Sequence, residues 1–229
     1  MIPRTIHYCW FGKSTPNQLM QRCIQSWRAH VPEWNIVEWS ERNVPLDNSF
    51  LRTAYTQGLW AHVSDYVRLR ALSVHGGVYL DTDVELRRSL DNLRSNKCFV
   101  GFQSEEPSPD WVNNAVLGAE PGHPFLDECL KLTLAHFEVT RRFPRSPAVT
   151  TQVLRMYGLQ SYGEQELNGV AVYPTSYFYP HPWFAQFREE LVSDKTHCVH
   201  YWQASWRNHS RRDSRFPPPP ASAVRCVTP

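Results

Sequence analysis

The sequence has 229 residues, of which 41% are hydrophobic and 20% are charged, as is typical of a globular chain that folds as one domain. Its formal net charge of +2 is too small to favour nucleic acid or an anionic membrane as a partner. Neither a membrane-spanning stretch nor the apolar segment of a secretory signal is visible, and the widely spaced cysteines favour buried thiols over disulfides or a zinc site. We therefore expect a cytoplasmic protein.

Hydrophobic periodicity predicts strands that alternate with helices from the N-terminus. In chain order, the predicted elements are a strand at 2–10, a helix at 18–30, a strand at 35–39, a helix at 54–75, a strand from Val78 that carries Asp81 and Asp83, strands at 98–102 and 115–118, helices at 123–136 and 148–156, and strands at 170–173 and 197–201. This order predicts an α/β fold with a mostly parallel central sheet flanked by helices. We expect a single domain over residues 1–210 and a proline-rich, flexible tail over residues 211–229.

The stretch GGVYLDTDVE places two carboxylates, Asp81 and Asp83, at the end of an apolar strand. Strand side chains alternate between faces, so both carboxylates would project to one side and repel each other unless a cation lies between them. Oxygen ligands favour Mg²⁺ or Mn²⁺, which proteins hold with one or two carboxylates and the phosphates of a substrate. Since α/β sheets bind ligands beyond the carboxyl ends of their strands, the stretch predicts a metal that holds a phosphate or diphosphate.

Two other interpretations of this stretch are a strand end with two solvated aspartates and a phosphatase-type DxDx(T/V) strand with a nucleophilic aspartate. The second fails because Glu85 stands where that pattern requires threonine or valine. Upstream, Asp65 and Arg68 lie three residues apart on the predicted helix. They could form a surface ion pair, or the guanidinium could donate hydrogen bonds to phosphate or hydroxyl groups.

Five blocks between residues 2 and 206 carry a resemblance to a known family. They are IPRTIHYCWFG, SWRAHVPEWNIVEW, the WAHVSDYVRL and GGVYLDTDVE pair, VNNAVLGAEPGHPF and HCVHYWQASW. In this order they resemble the DXD sugar transferases of glycosyltransferase family 32, which are similar in turn to the catalytic domains of large glucosylating toxins. The resemblance implies a GT-A fold, a Rossmann-like nucleotide-sugar-binding domain, and Mn²⁺ (or Mg²⁺) bound to the donor diphosphate.

The resemblance also implies a metal site. Asp83 would bind the metal directly, and Asp81 would contact it through water or contact the ribose. His200 would complete the site, although a lone histidine on a late strand is commonly a core residue. Arg68 would help the metal to stabilise the diphosphate leaving group.

Further residues match positions that contact the donor in the family. Trp10 would stack on the base, and Asn114, with Asn113 as its rival, would lie beside the donor sugar. The remaining matches are Ser64, Asp65 and Arg68 for the ribose and hexose hydroxyls, Tyr79 near the nucleotide, and Ser205 and Trp206 in a segment that closes over the donor. Relatives often carry TGP where this chain has Arg145, Ser146 and Pro147, so the family's acceptor preference does not transfer.

We therefore expect a retaining hexosyltransferase that uses a nucleotide sugar, with UDP-hexose preferred over GDP-mannose. Its partners would be this donor and a saccharide or glycolipid acceptor in surface polysaccharide or glycolipid synthesis. The protein would act in the cytoplasm, with peripheral association at the inner face of the membrane as an option, and without nucleic acid. The alternatives are a toxin-like effector that glycosylates a protein and a non-catalytic module that binds nucleotide sugars.

Overall fold

A seven-stranded sheet with the strand order β2-β1-β3-β6-β5-β8-β7 forms the centre of the computed structural model, which describes residues 1–12 and 14–203. The strands are β1 (Thr5–Cys9), β2 (Asn35–Trp39), β3 (Gly77–Leu80), β4 (Val84–Leu86), β5 (Cys98–Phe102), β6 (Val112–Ala119), β7 (Gln165–Leu167), β8 (Val170–Tyr173) and β9 (Cys198–His200). The helices are α1 (Gln18–His30), α2 (Ser49–Thr56), α3 (Trp60–His75), α4 (Pro124–Thr140), α5 (Ser146–Met156) and α6 (Thr175–Phe178).

The sheet is mixed, but most of its strands point the same way. Strands β2, β1, β3, β5 and β8 share one direction, and only β6 and β7 run against them in the described sheet. The predicted α/β fold with a mostly parallel sheet is therefore confirmed. A separate pair, β4 with β9, forms a two-stranded antiparallel ribbon.

Two apolar clusters cover the two faces of the sheet. Alternation along β3 sends Tyr79 to the face covered by α3, α4 and α5, and sends Val78 and Leu80 to the opposite face. On that opposite face, Trp27 of α1 is fully buried, and its indole Nε1 donates a hydrogen bond to the Val84 carbonyl. The ribbon that begins at Val84 is thereby fixed to the body of the domain.

The connection from α3 to β3 depends on glycine. Gly77 has a φ of +105°, and a Cβ at this position would lie 2.7 Å from the Thr5 carbonyl oxygen. A side chain here would therefore be strained and would also clash with β1. The predicted end of the long helix at residue 75 is confirmed, since α3 ends at His75 and Gly76 caps it.

Some predicted boundaries are wrong. The helix predicted at residues 54–75 is two helices, α2 and α3, because the chain turns at Gly58, whose φ is +68°. The strand predicted at 115–118 begins earlier, at Val112, and the three-residue strands β4 and β7 were not predicted. The boundary between a domain at 1–210 and a tail at 211–229 remains a prediction, since it falls outside the described residues. No helix within those residues has the length and apolarity needed to cross a membrane.

Candidate active site

The two aspartates lie in a turn and not in a strand. Strand β3 ends at Leu80, and the Val84 N–H donates a hydrogen bond of 3.0 Å to the Asp81 carbonyl. The prediction that strand alternation places Asp81 and Asp83 on one side is therefore wrong. The turn brings their carboxylates together at the carboxyl end of β3, which is the edge where α/β sheets receive ligands.

The ribbon of β4 and β9 brings His200 to this turn. The register places Val84 opposite His200, and the imidazole Nε2 lies 3.2 Å from Asp83 Oδ1. One potential ligand atom from each of Asp81, Asp83 and His200 lies within 4.8 Å of the others. His200 lies more than a hundred positions after the two aspartates in the sequence, and the structure brings the three residues together.

The chemistry of this cluster fits a divalent cation. Asp83 and His200 are each only 7% exposed, so the interpretation of solvated aspartates at a strand end is wrong for Asp83. The buried Nδ1 atom of His200 has no hydrogen-bond partner among the described residues, which is unusual for a polar atom inside a protein. Two carboxylates and an imidazole suit Mn²⁺ or Mg²⁺ when phosphate oxygens supply further ligands.

The electrostatics of the cluster couple metal binding to protons. Burial raises the pKa of Asp81, and this rise is opposed by Arg68 and increased by Asp83. Burial also acts to raise the pKa of Asp83, but the charge and hydrogen bond of His200, together with hydrogen bonds from backbone N–H groups, outweigh it and the net shift is downward. Burial alone would lower the pKa of His200, whereas the Asp83 carboxylate raises it above its usual value. Since a histidine ligand binds a metal through an unprotonated nitrogen, metal binding at His200 would compete with its protonation.

The His200→Gln variant tests this ligand set. Glutamine keeps much of the side-chain volume and a donor for Asp83 but removes the imidazole nitrogen, so we expect Mn²⁺ affinity to fall by about 10- to 100-fold or more. His197→Gln is the matched control, because His197 is also buried but bonds the Ser89 carbonyl at 2.9 Å, away from the aspartates. Calorimetric titration with Mn²⁺ should separate the two variants, while their melting temperatures fall alike. Equal Mn²⁺ affinity in both would contradict a metal-binding role for His200.

Arg68 links the cluster of Asp81, Asp83 and His200 to the rest of the site. Its Nη2 lies 3.1 Å from Asp65 Oδ1 and 3.1 Å from Asp81 Oδ1. Its Nη1 donates to the Asn114 carbonyl and side-chain oxygens at 3.0 and 3.1 Å, and its Nε donates to the Ser64 carbonyl at 3.4 Å. The side chain is only 6% exposed, so the alternative of a surface ion pair is wrong. Because protein oxygens engage all three of its nitrogens, Arg68 is placed to orient Asp81 and to supply positive charge.

Tyr79 belongs to both the core and the site. The Arg68 guanidinium lies 4.6 Å from the centroid of its ring, and the residue is only 1% exposed. Its hydroxyl donates a hydrogen bond of 2.9 Å to Asp81 Oδ1. The structure therefore places Tyr79 beside the aspartates, where it fixes one carboxylate oxygen.

The two candidate asparagines are both buried, but only one contacts Arg68. The Asn114 amide nitrogen donates to Ser146 Oγ at 2.6 Å and to Thr150 Oγ1 at 3.0 Å, and its oxygen accepts from Arg68. Asn113 instead donates to Gln103 Oε1 at 2.6 Å. Asn114 thus links Arg68 to the N-terminus of α5, whereas Asn113 links β6 to the chain that follows β5.

Of the other predicted residues, the structure describes Trp10, Ser64 and Asp65. Trp10 directly follows β1 and is half-buried, and its indole Nε1 donates to the Ser14 carbonyl at 2.8 Å. Ser64 Oγ donates to the Trp60 carbonyl at 3.0 Å, and Asp65 lies 3.6 Å from His62 Nδ1 as well as contacting Arg68. Ser205 and Trp206 fall outside the described residues.

The sequence did not single out several residues that shape this site. Trp202 packs on His200 with their ring centroids 4.1 Å apart, and the Gln203 N–H donates to Asp83 Oδ2 at 2.7 Å. Both follow His200 within three residues, so the block HCVHYWQASW, which contains the histidine, could have indicated them. Ser146 and Thr150, which bind Asn114, gave no signal, because a hydroxyl at a helix start is common for structural reasons.

The sheet and the acidic turn at the end of β3 place the chain in the GT-A class of glycosyltransferase folds. The PaToxG glycosyltransferase superposes with a TM-score of 0.55 over 68% of this chain and 69% of its own, at 16% identity. A glycosyltransferase involved in the glycosylation of the major capsid of PBCV-1 gives a TM-score of 0.50 over 91% of this chain and 97% of its own, at 13% identity. At these identities, the likeness concerns the fold.

Family models identify the chain more narrowly. The glycosyltransferase sugar-binding region containing a DXD motif matches residues 17–100, and the alpha 1,4-glycosyltransferase conserved region matches residues 118–215. The chain belongs to the DXD-containing glycosyltransferases of family 32, and the resemblance found in the sequence is confirmed.

Curated relatives share moderate identity with the chain. Lactosylceramide 4-alpha-galactosyltransferase of Rattus norvegicus is 30% identical over 165 residues, which is 67% of this chain and 44% of that protein. Inositol phosphoceramide mannosyltransferase 3 of Schizosaccharomyces pombe is 30% identical over 154 residues, which is 62% of this chain and 40% of that protein. The chain thus spans less than half the length of these relatives.

Proposed function

We propose that this chain catalyses metal-dependent transfer of a hexose from a nucleotide sugar to the saccharide of a glycolipid. The observation that carries the proposal is the cluster of Asp81, Asp83 and His200 at the carboxyl end of β3, with Arg68 directly beside Asp81. The names of the relatives support a glycolipid acceptor, since both names include the word ceramide. The expectation of a polysaccharide acceptor has no comparable support.

Each residue of the cluster has a defined task in this proposal. Asp81, Asp83 and His200 would hold Mn²⁺ or Mg²⁺, which supplies Lewis-acid stabilisation of the diphosphate leaving group. Arg68 and Tyr79 keep Asp81 in one orientation through contacts of 3.1 and 2.9 Å. Arg68 also opposes the rise that burial causes in the pKa of Asp81, and so favours the ionised form that a metal requires. We further propose that the anomeric configuration is retained, as the family resemblance implies.

The donor nucleotide would lie on the side of β1. Strands β1 and β3 are neighbours and parallel, so Trp10 and the aspartates follow the same edge of the sheet. An indole can stack on any base, so Trp10 supports a nucleotide without selecting one. We propose UDP-hexose in preference to GDP-mannose. The names of the relatives do not decide this choice, because one refers to galactose and the other to mannose.

The Trp10→Ala variant tests the stacking. Loss of one base–aromatic contact costs about 1–3 kcal/mol, so we expect the dissociation constant for UDP in the presence of Mn²⁺ to rise by about 5- to 150-fold. Calorimetry with UDP and with GDP would measure it. Binding of GDP but not UDP to the unmodified protein would overturn the choice of nucleotide, and unchanged affinity in the variant would overturn the role of Trp10.

A panel of nucleotide sugars tests the proposed function itself. We expect slow, Mn²⁺-dependent hydrolysis of one UDP-hexose without an acceptor, and loss of this activity in EDTA with recovery on addition of Mn²⁺. Full activity in excess EDTA would contradict metal dependence. If neither UDP nor GDP bound with Mn²⁺, the proposed use of a nucleotide-sugar donor would be wrong.

A lipid-linked acceptor lies in a membrane, so the enzyme would have to reach it at the membrane surface. We propose peripheral association with the cytoplasmic face of the membrane that contains the acceptor. Flotation with liposomes that carry a neutral glycolipid, compared with liposomes that lack it, would measure this association. Recovery of the protein in the bottom fraction with both would contradict it.

A further inference from the structure

The side of the site opposite Trp10 is built from β5, β6 and the start of α5. Strand β6 is antiparallel to β3 with Leu80 opposite Val116, so its first residues run past the end of β3. Strand β5 pairs with β6 so that Phe102 lies opposite Val112, and it ends at the same edge. If the donor nucleotide lies on the β1 side, the acceptor must approach the donor sugar from this other side.

Arg145 and Asp110 form an ion pair on this side. Asp110 Oδ2 contacts Arg145 Nη1, and the side chains are 19% and 53% exposed, respectively. Within residues 1–12 and 14–203, the guanidinium has no other protein acceptor, so its Nη2 and Nε can donate to a ligand. Asp110 Oδ1 is buried and has no hydrogen-bond partner in the same part of the chain.

Two hydrogen-bond paths fix this pair relative to Asp81. In the first, Ser146, the residue after Arg145, accepts from Asn114 at 2.6 Å, and Asn114 accepts from Arg68. In the second, the Asp110 carbonyl accepts from Gln103, whose side-chain oxygen accepts from Asn113 at 2.6 Å.

The second path ends at Asp81 itself. Asn113 Oδ1 accepts from the Ala115 N–H at 2.7 Å, and the Ala115 carbonyl accepts from the Asp81 N–H at 2.9 Å. Both paths therefore connect the residues of the ion pair to Asp81.

We propose that Arg145, held in place by Asp110, is a specificity-determining residue that binds hydroxyl groups of a neutral saccharide acceptor. The proposal rests on the glycosyltransferase function proposed above. A guanidinium with unused N–H groups can donate to the oxygens of neighbouring sugar hydroxyls. Because Asp110 cancels the charge of Arg145, the pair gives no net attraction to an acceptor that carries a phosphate or carboxylate.

The preference for neutral saccharide acceptors would arise from Arg145 of this chain. Arg145 stands directly before Ser146, the first residue of α5. It therefore places a long hydrogen-bond donor at the start of this helix. A difference at this position would change which acceptor is used and leave the donor contacts on the β1 side intact.

Acceptor kinetics of Arg145→Gln test the proposal. Loss of one or two hydrogen bonds to a charged group predicts a rise in acceptor KM of about 10- to 150-fold. Mn²⁺-dependent donor hydrolysis without acceptor should be unchanged. Arg142→Gln is the matched control, since Arg142 is exposed in the same connection between α4 and α5, and its acceptor KM should equal that of the unmodified protein.

A double variant and an acceptor panel complete the test. Arg145→Gln leaves Asp110 without its counter-charge, so the Asp110→Asn/Arg145→Gln variant, which has no unpaired charge, should keep the melting temperature while the acceptor KM stays raised. The panel pairs neutral alkyl glycosides with the same glycosides bearing a phosphate or carboxylate. The neutral compounds should be the better substrates of the unmodified protein and should lose this advantage in the double variant. The single variant should still disfavour the anionic compounds, because its unpaired Asp110 carboxylate repels them.

Three outcomes would overturn the inference without touching the proposed function. They are an unchanged acceptor KM, a loss confined to the anionic acceptors, and a parallel loss of donor hydrolysis in both variants, which would indicate a structural role. An unmodified protein that neither hydrolyses a nucleotide sugar nor binds UDP or GDP with Mn²⁺ would instead overturn the proposed function, and this inference with it.

Discussion

Asp83→Asn is expected to lose at least about 100-fold in metal-dependent hydrolysis of the donor sugar. Removing a residue that hydrogen-bonds to a metal ligand typically lowers metal affinity or activity by about 10- to 100-fold. Removing a direct ligand should lower them at least as much. The amide oxygen can still accept the hydrogen bond from the Gln203 N–H, which is 2.7 Å from Asp83 Oδ2 in the structure. Folding should therefore survive, although Asp83 is buried and its pairing with His200 is lost.

The measurement is donor hydrolysis over a range of Mn²⁺ concentrations, with the melting temperature recorded in parallel. Asp91→Asn is a suitable control, because Asp91 forms ion pairs with Arg4 and Arg94 at a more exposed position. It should change neither activity nor Mn²⁺ dependence. If the folded Asp83→Asn protein kept wild-type activity, Asp83 would not be a metal ligand.

Arg68→Leu is expected to be the most destabilising single substitution in the site. Removing one partner of a buried charge network costs about 3–5 kcal/mol, because the remaining charges stay buried without compensation. Here the carboxylates of Asp65 and Asp81 would both lose the guanidinium, and the Asn114 oxygens would lose its hydrogen bonds. The free energy of unfolding from urea titration measures the effect.

Arg70→Leu is the matched control, since Arg70 is exposed on the same helix two residues later. It should change the free energy of unfolding by less than about 0.5 kcal/mol. Arg68→Lys should lie between the two, because it keeps the charge but has too few donors for the five oxygen acceptors of Arg68. Equal stability of the Arg68→Leu and Arg70→Leu proteins would show that the buried network contributes nothing to folding.

The sequence predicted the class of fold because its periodicity is strong and because its blocks resemble a family. Periodicity could not reveal the break between α2 and α3, since the apolar stripe of α3 follows α2 after only three residues and the turn at Gly58 interrupts it locally. The three-residue strands β4 and β7 were missed because so few residues carry no measurable alternation.

For the site, residue types alone predicted the paired aspartates, and the resemblance added His200. Neither could show that Arg68 has every nitrogen engaged by protein oxygens, because Asn114 reaches it from β6 and Asp81 reaches it from the turn after β3. The link from Asn114 to Ser146 and Thr150 was equally invisible, since α5 follows β6 by a long helix and a loop. Such contacts depend on the order of strands in the sheet, which local patterns do not encode.

The ribbon of β4 and β9 has a consequence for how the protein is made. Asp81 and Asp83 lie early in the chain and leave the ribosome long before His200, whose strand is the last of the nine. A nascent chain that has completed the first six strands already contains both aspartates but still lacks the imidazole that the ribbon delivers. The cluster of Asp81, Asp83 and His200 is therefore complete only near the end of synthesis of the described region, so an unfinished chain would lack one of the three proposed metal ligands.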